Sequence, residues 1–113
     1  MAVLTTLVLG SALSVPAPYE VQEMQQFNGK TVILAAYVSP DAVGHSLLIV
    51  RNGAGKTLWK QYLGWKYHIE SVNKNITVRT VRPDRRTFLR VFDLQTGEKL
   101  GEREVVEATP TQP

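Results

Sequence analysis

The sequence predicts an all-β fold: a small antiparallel β-sandwich or barrel-like domain built from two related hairpin units, with an extended N-terminal arm and room for one short helix. Three observations carry this. From Lys30 to Val106, short runs rich in branched and aromatic residues alternate with Gly-, Asn- and Pro-bearing turn signals. Two stretches of the chain repeat one another. And 113 residues, 43% hydrophobic and 20% charged, suffice for one core and are too few for two.

Met1 to Val15 carries no charged side chain. It is too short for a bilayer-spanning helix, which needs about 20 residues. Its length suits a signal-peptide apolar region, but no Lys or Arg precedes it and Pro16 is unfavourable near a cleavage site. Residues 1–18 are therefore read as a buried arm, as a docking segment inserted into a partner subunit through Leu4, Leu7 and Leu9, or as a leader. Pro16-Ala17-Pro18 is expected to be a stiff, extended joint. Tyr19 to Phe27 reads two ways. Its Glu, Gln and Met favour a short helix ended at Asn28-Gly29, whereas the alternation of Tyr19 and Val21 before Asn28-Gly29 suits a hairpin. The helix is the expectation.

Thr31 to Val38 is a continuous apolar run and predicts a central strand buried on both faces. Ser46–Val50 is the next strand, and Asn52-Gly53-Ala54-Gly55 turns it into Lys56–Leu63. Trp65–Val72, Ile76–Arg82, Thr87–Leu94 and Lys99–Val106 follow, separated by Asn73-Lys74-Asn75, Pro83-Asp84 and Thr96-Gly97. Residues 19–107 thus make a single β domain with units 31–72 and 74–106. Residues 108–113 are polar and expected to fray.

The repeat is specific in places. Ile33, Pro40 and Asp41 recur as Ile76, Pro83 and Asp84, each 43 residues on, and Gly55 recurs as Gly97 after 42. Leu48-Ile49-Val50-Arg51-Asn52 answers to Leu89-Arg90-Val91-Phe92-Asp93. A period in the low forties is that of a propeller blade. These strand–turn–strand cores, with an aspartate before a Thr-Gly turn, resemble quinoprotein-like β-propeller blades over residues 31–106. The resemblance implies ligand or protein binding, and in some members quinone-dependent dehydrogenation. None of that family's catalytic or cofactor residues has a match here, so it implies no site. Two blades cannot close a ring. A pseudo-symmetric sandwich is the expectation, with assembly covering a sheet edge as the companion possibility.

No catalytic constellation is visible. Gly53-Ala54-Gly55-Lys56-Thr57 resembles the end of a phosphate loop, but position 50 is Val and a strand follows. His45 and His68, with Asp41 and Glu70 near them in sequence, lack metal-ligand spacing, and the chain has no cysteine. No cofactor and no metal are expected, and the protein is not expected to be an enzyme. Glu102, Glu104 and Glu107 read as the solvated side of an edge strand. Asn75-Ile76-Thr77 matches a glycosylation acceptor, a pattern common by chance.

The net charge of +3 conceals an uneven distribution. Residues 1–50 carry −2, residues 51–90 carry +8, and residues 91–113 carry −3. The basic block holds Trp59, Tyr62, Trp65, Tyr67 and Phe88. Trp59, Trp65, Arg82, Arg85, Arg86 and Arg90 are its candidate partner-binding residues. Protein contact is the leading use, since Trp and Arg anchor interfaces. Single-stranded nucleic acid is the alternative, because rings stack on bases while cations follow phosphates. Strand alternation puts Trp59 on the face opposite Lys60, which weakens that alternative. The expected role is a structural or adaptor subunit of a larger particle, filament or complex, in a virion, extracellular or periplasmic setting rather than the cytoplasm.

Overall fold

The computed structural model describes residues 15–37 and 45–106. Among these there are eight strands and no helix: β1 (Tyr19–Phe27), β2 (Lys30–Tyr37), β3 (Ser46–Arg51), β4 (Thr57–Leu63), β5 (His68–Val72), β6 (Asn75–Val81), β7 (Thr87–Asp93) and β8 (Lys99–Val105). They form two four-stranded antiparallel meanders, β1-β2-β3-β4 and β5-β6-β7-β8, packed as a small β-sandwich. The arm with Leu4, Leu7 and Leu9, the loop with Asp41, and the tail 108–113 lie outside the described residues.

Two local expectations are corrected. Tyr19–Phe27 is a strand rather than a short helix. Helix propensity there is worth only tenths of a kcal/mol per residue. Against it stands a ladder from Tyr19↔Tyr37 to Phe27↔Lys30, closed by Asn28 and Gly29 at φ 56° and 78°. Positive φ at both turn residues matches the twist of a tight hairpin. Likewise Pro16–Tyr19 is a turn rather than extended, with the Tyr19 N–H donating to the Pro16 carbonyl at 2.9 Å.

The apolar run is buried as expected. Val32, Ile33, Leu34 and Ala35 on β2, and Leu47 to Val50 on β3, have 0–1% exposure, so both faces of the first sheet are covered. One face, with Val32, Leu34, Leu48, Val50 and Leu63, meets Ile76, Val78 and Phe92 of the second sheet. The other, with Ile33, Ala35, Leu47 and Ile49, packs on Val15, Tyr19, Val21 and Met24.

Polar staples join the sheets. A bulge between Val21 and Glu23 interrupts the β1 register. The Glu23 carboxylate bridges to β5: Oε1 accepts the Ile69 N–H at 2.9 Å and Oε2 lies 2.8 Å from His68 Nδ1. At the far edge the Trp59 indole N–H donates to the Leu94 carbonyl at 2.8 Å, and Gln61 Nε2 donates to the Gly97 carbonyl at 2.7 Å.

The crossing segment 64–67 runs between β4 and β5. The Tyr67 N–H donates to Ser46 Oγ at 2.9 Å, and the Thr80 hydroxyl donates to the Lys66 carbonyl at 2.6 Å. Ser46 and Thr80 are each 1% exposed, so each buried hydroxyl is matched to a backbone group of this segment. Together they fix where Tyr67 sits.

Candidate functional site

Alternation along β6 and β7 decides which side chains of the second sheet meet the first. Ile76, Val78 and Thr80 are buried, and their cross-strand partners are Phe92, Arg90 and Phe88. Those six share the inner face. The first sheet covers the Ile76–Phe92 end. At the other end Arg82 lies over Phe88 and Arg90 over Tyr67, and Trp65 lines the same hollow as Tyr67, Arg82 and Arg90.

There an open surface hollow of about 260 Å³ is lined by Gly64, Trp65, Tyr67, Arg82 and Arg90. The guanidiniums lie over rings: Arg82 is 4.0 Å from the Phe88 centroid, Arg86 is 5.4 Å from the same ring, and Arg90 is 5.2 Å from the Tyr67 centroid. Such contacts stabilise by about 0.5–2 kcal/mol, the upper end when desolvated. The neighbouring carboxylates are on β8. Arg86 grips Glu104 bidentately, at 2.9 and 3.1 Å, and these bonds hold the Glu104 carboxyl below its ordinary value. Lys99 donates to Glu102 at 3.0 Å, lowering that carboxyl too, with Arg90 contributing less.

Three buried polar atoms at this end have no hydrogen-bond partner: Tyr67 Oη, Arg82 Nε and Arg90 Nε. Arg90 Nε is 3.4 Å from Glu102 Oε2, an ion-pair separation without hydrogen-bond alignment. An unmet buried polar group costs about 1–3 kcal/mol; Arg90 keeps Glu102 as its charge partner, which leaves the Tyr67 hydroxyl and Arg82 Nε as the two buried groups here with no partner of either kind. Burial pushes the Tyr67 hydroxyl up from its ordinary pKa, with Arg90 opposing, so it stays a protonated donor at neutral pH.

Of the candidate residues, Trp65, Arg82 and Arg90 are brought to this cleft. Arg86 borders it through Phe88 and Glu104. Arg85 is exposed at φ 71° in the β6–β7 turn, where its N–H donates to the Arg82 carbonyl. Trp59 is elsewhere, stacked on Phe92 at 6.4 Å inside the sandwich. Tyr67 was missed by sequence reasoning. Its only signal was an aromatic residue between Lys66 and His68, facing opposite to both.

The outer face of the second sheet is a different surface. Thr77, Arg79, Val81, Thr87, Leu89, Val91, Arg103 and Val105 share it by register. Val81 is 58% exposed, and Leu89, Val91 and Val105 are half-buried. The repeat gives this face meaning. Leu34 and Leu48 of the first sheet, which face the second, answer to Thr77 and Leu89. The pairing slides by two, from Leu34↔Leu48 to Thr77↔Val91, which preserves the face. The two sheets therefore point the same way, and the face through which the first meets the second corresponds to the partly exposed outer face of the second.

Among the described residues no group of three or more His, Asp or Glu is placed to hold a metal, and no helix is long and apolar enough to cross a membrane. Comparison with protein-family models, curated proteins and solved structures finds no match to this chain.

Proposed function

We propose that the chain is a non-enzymatic structural or adaptor subunit that works by docking another β-sheet onto the outer face of its second sheet. One observation carries this reading: that face is the repeat counterpart of the face through which the first sheet makes the inter-sheet core. Docking by faces is favoured over docking by edges. The edge strand β4 carries Lys60, and β8 carries Glu102, Arg103 and Glu104, charges that oppose strand addition.

The ion pairs bear on the nucleic-acid alternative. Arg79, Arg86 and Arg90 of the basic segment are engaged with Glu70, Glu104 and Glu102. Phe88 and Tyr67 are covered by the chain's own guanidiniums, which occupy ring faces a base would need.

Sedimentation velocity of the full chain tests the proposal. Concentration-dependent association that is lost in a Leu89→Asp, Val91→Lys double variant supports it. A monomer at every concentration overturns it. Deleting residues 1–14 in the same assay reports whether the arm contributes. Salt-dependent oligonucleotide binding that is lost with Arg85→Ala and Arg86→Ala would favour the alternative.

A further inference from the structure

The outer face of the first sheet is buried, and its neighbours within the sheet do not account for that. Register places Val21 and Met24 of β1 on the same face as Ile33, Ala35, Leu47 and Ile49. Strands of one sheet flank one another's side chains, but a face is closed only by a second layer, about 10 Å away. The second sheet is not that layer, because it lies against the opposite face, with Val32, Leu34 and Leu48. Yet Ile33, Ala35, Leu47 and Ile49 are 0–1% exposed. Of the described apolar side chains packed on them, Tyr19, Val21 and Met24 belong to β1, and Val15 alone comes from outside the sheet. One valine cannot close a face four residues wide. The cover therefore comes from residues 1–14, 38–44 or 107–113.

Three properties select the first of these. The chain is already on the face at Val15, and the turn at Pro16–Tyr19 reverses it, so the residues before Val15 are led back over the sheet from β1. Residues 1–14 carry no charged side chain and are rich in apolar ones, as a layer against isoleucine and leucine requires. Their length is sufficient: fourteen extended residues reach about 46 Å, and the eight of β2 span about 26 Å. The alternatives fit less well. Residues 38–44 are a short connection from β2 to β3 that carries Asp41. Residues 107–113 follow β8 of the other sheet and hold no large apolar side chain. The cover has a limit as well, since Tyr62 on β4, opposite Leu47, is 62% exposed.

We infer that residues 1–14 cover the outer face of the first sheet of their own chain, over β1 to β3, with Leu4, Leu7 and Leu9 supplying apolar surface to Ile33, Ala35, Leu47 and Ile49. The segment is then a layer of the fold rather than a leader or an arm kept for a partner. This does not rest on the docking proposed for the second sheet, which concerns a different face.

The chain has no cysteine, so a single introduced thiol reports the cover. Ala35→Cys in the full chain should react slowly with N-ethylmaleimide, at a rate independent of protein concentration. Deleting residues 1–14, or combining Leu4→Asp, Leu7→Asp and Leu9→Asp, should speed the reaction by roughly tenfold or more as the face opens. Val81→Cys, on the second sheet, should react alike with and without the segment. If the altered chains fail to fold, methyl NOEs in the full-length protein carry the test. Contacts from Leu4, Leu7 or Leu9 to Ile33, Leu47 or Ile49 should persist when labelled chain is diluted into unlabelled chain. The inference is overturned if the Ala35→Cys thiol reacts equally fast with and without the segment. It is equally overturned if protection grows with concentration or the NOEs fade on dilution, which makes a second copy the cover. The same holds if Val43→Asp, in the 38–44 connection, exposes the thiol and the arm variants do not.

Discussion

Trp59 occupies the space that a β-carbon at position 97 would need. An ideal Cβ built on Gly97 would lie 2.5 Å from Trp59 Cδ2, and Gly97 itself has φ 79°. One residue thus satisfies two demands, the left-handed turn between β7 and β8 and the close approach of an indole from the other sheet. Gly97→Ala should destabilise by about 2–6 kcal/mol, combining backbone strain and overpacking of roughly 1–3 each. Trp59→Phe, which keeps a ring but leaves the Leu94 carbonyl unmet, should cost about 1–3 kcal/mol. Urea unfolding of each variant measures both. A Gly97→Ala variant as stable as the parent would show that neither the left-handed turn nor the indole contact requires glycine there.

Glu23 joins the sheets by two different bonds, and substitution separates them. Glu23→Gln keeps an oxygen for the half-buried Ile69 N–H and loses only the carboxylate beside His68. Glu23→Ala loses both. The alanine variant should be less stable than the glutamine variant by about 1 kcal/mol or more. Equal losses would place the stabilisation in the exposed His68 contact instead.

Tyr67→Phe should not destabilise the protein. The hydroxyl it removes is buried without a partner, so its loss relieves a desolvation cost. Equal or higher stability by thermal unfolding is the expected outcome. A large loss of stability would mean that the hydroxyl has a structural partner.

Acid should weaken the β7–β8 edge first. The Glu104, Glu102 and Asp93 carboxyls are each held below their ordinary values, by Arg86, by Lys99, and by the Thr96 and Gln95 amides respectively. A lowered folded-state pKa gives stability that is complete above the ordinary carboxylate value and is lost as pH falls through the folded value. Stability should therefore be level above roughly pH 5 and decline below it. Glu104→Gln should flatten that decline. Added salt should weaken the Glu104 part most, since Arg86 is exposed.

How far these features were legible in the sequence depends on whether they are local. Val32 to Ala35 announced a strand buried on both faces because nothing polar interrupts it. Asn52–Gly55 and Thr96-Gly97 announced their hairpins through residues that tolerate positive φ. Asn28-Gly29 carried the same signal before β2, but the helix propensity of Glu20 to Gln26 outweighed it in the reading. A strand partner three residues away decided otherwise. The cleft was half-legible. Trp65, Arg82 and Arg90 stood out as types, but their meeting depends on the Val78↔Arg90 register and on the Ser46 and Thr80 hydroxyls that anchor segment 64–67. No spacing in the chain encodes those. Trp59 and Trp65 look alike in sequence, and only the facing of the two sheets sends one into the core and the other to a cavity wall.

That both sheets point the same way gives the molecule a polarity. A contact between unlike faces does not cancel itself, as a two-fold contact does: each sheet added by the same rotation presents a fresh copy of the surface just covered. Such a series ends only by meeting its own beginning or by a unit that cannot extend it. The second sheet already departs from the first in this sense, with Thr77 where the first has Leu34 and Gly101 where it has Trp59. On the proposed docking of a second copy at the outer face, restoring the apolar residue with Thr77→Leu is a lever on length: it should shift the protein toward open-ended polymers rather than a tighter pair.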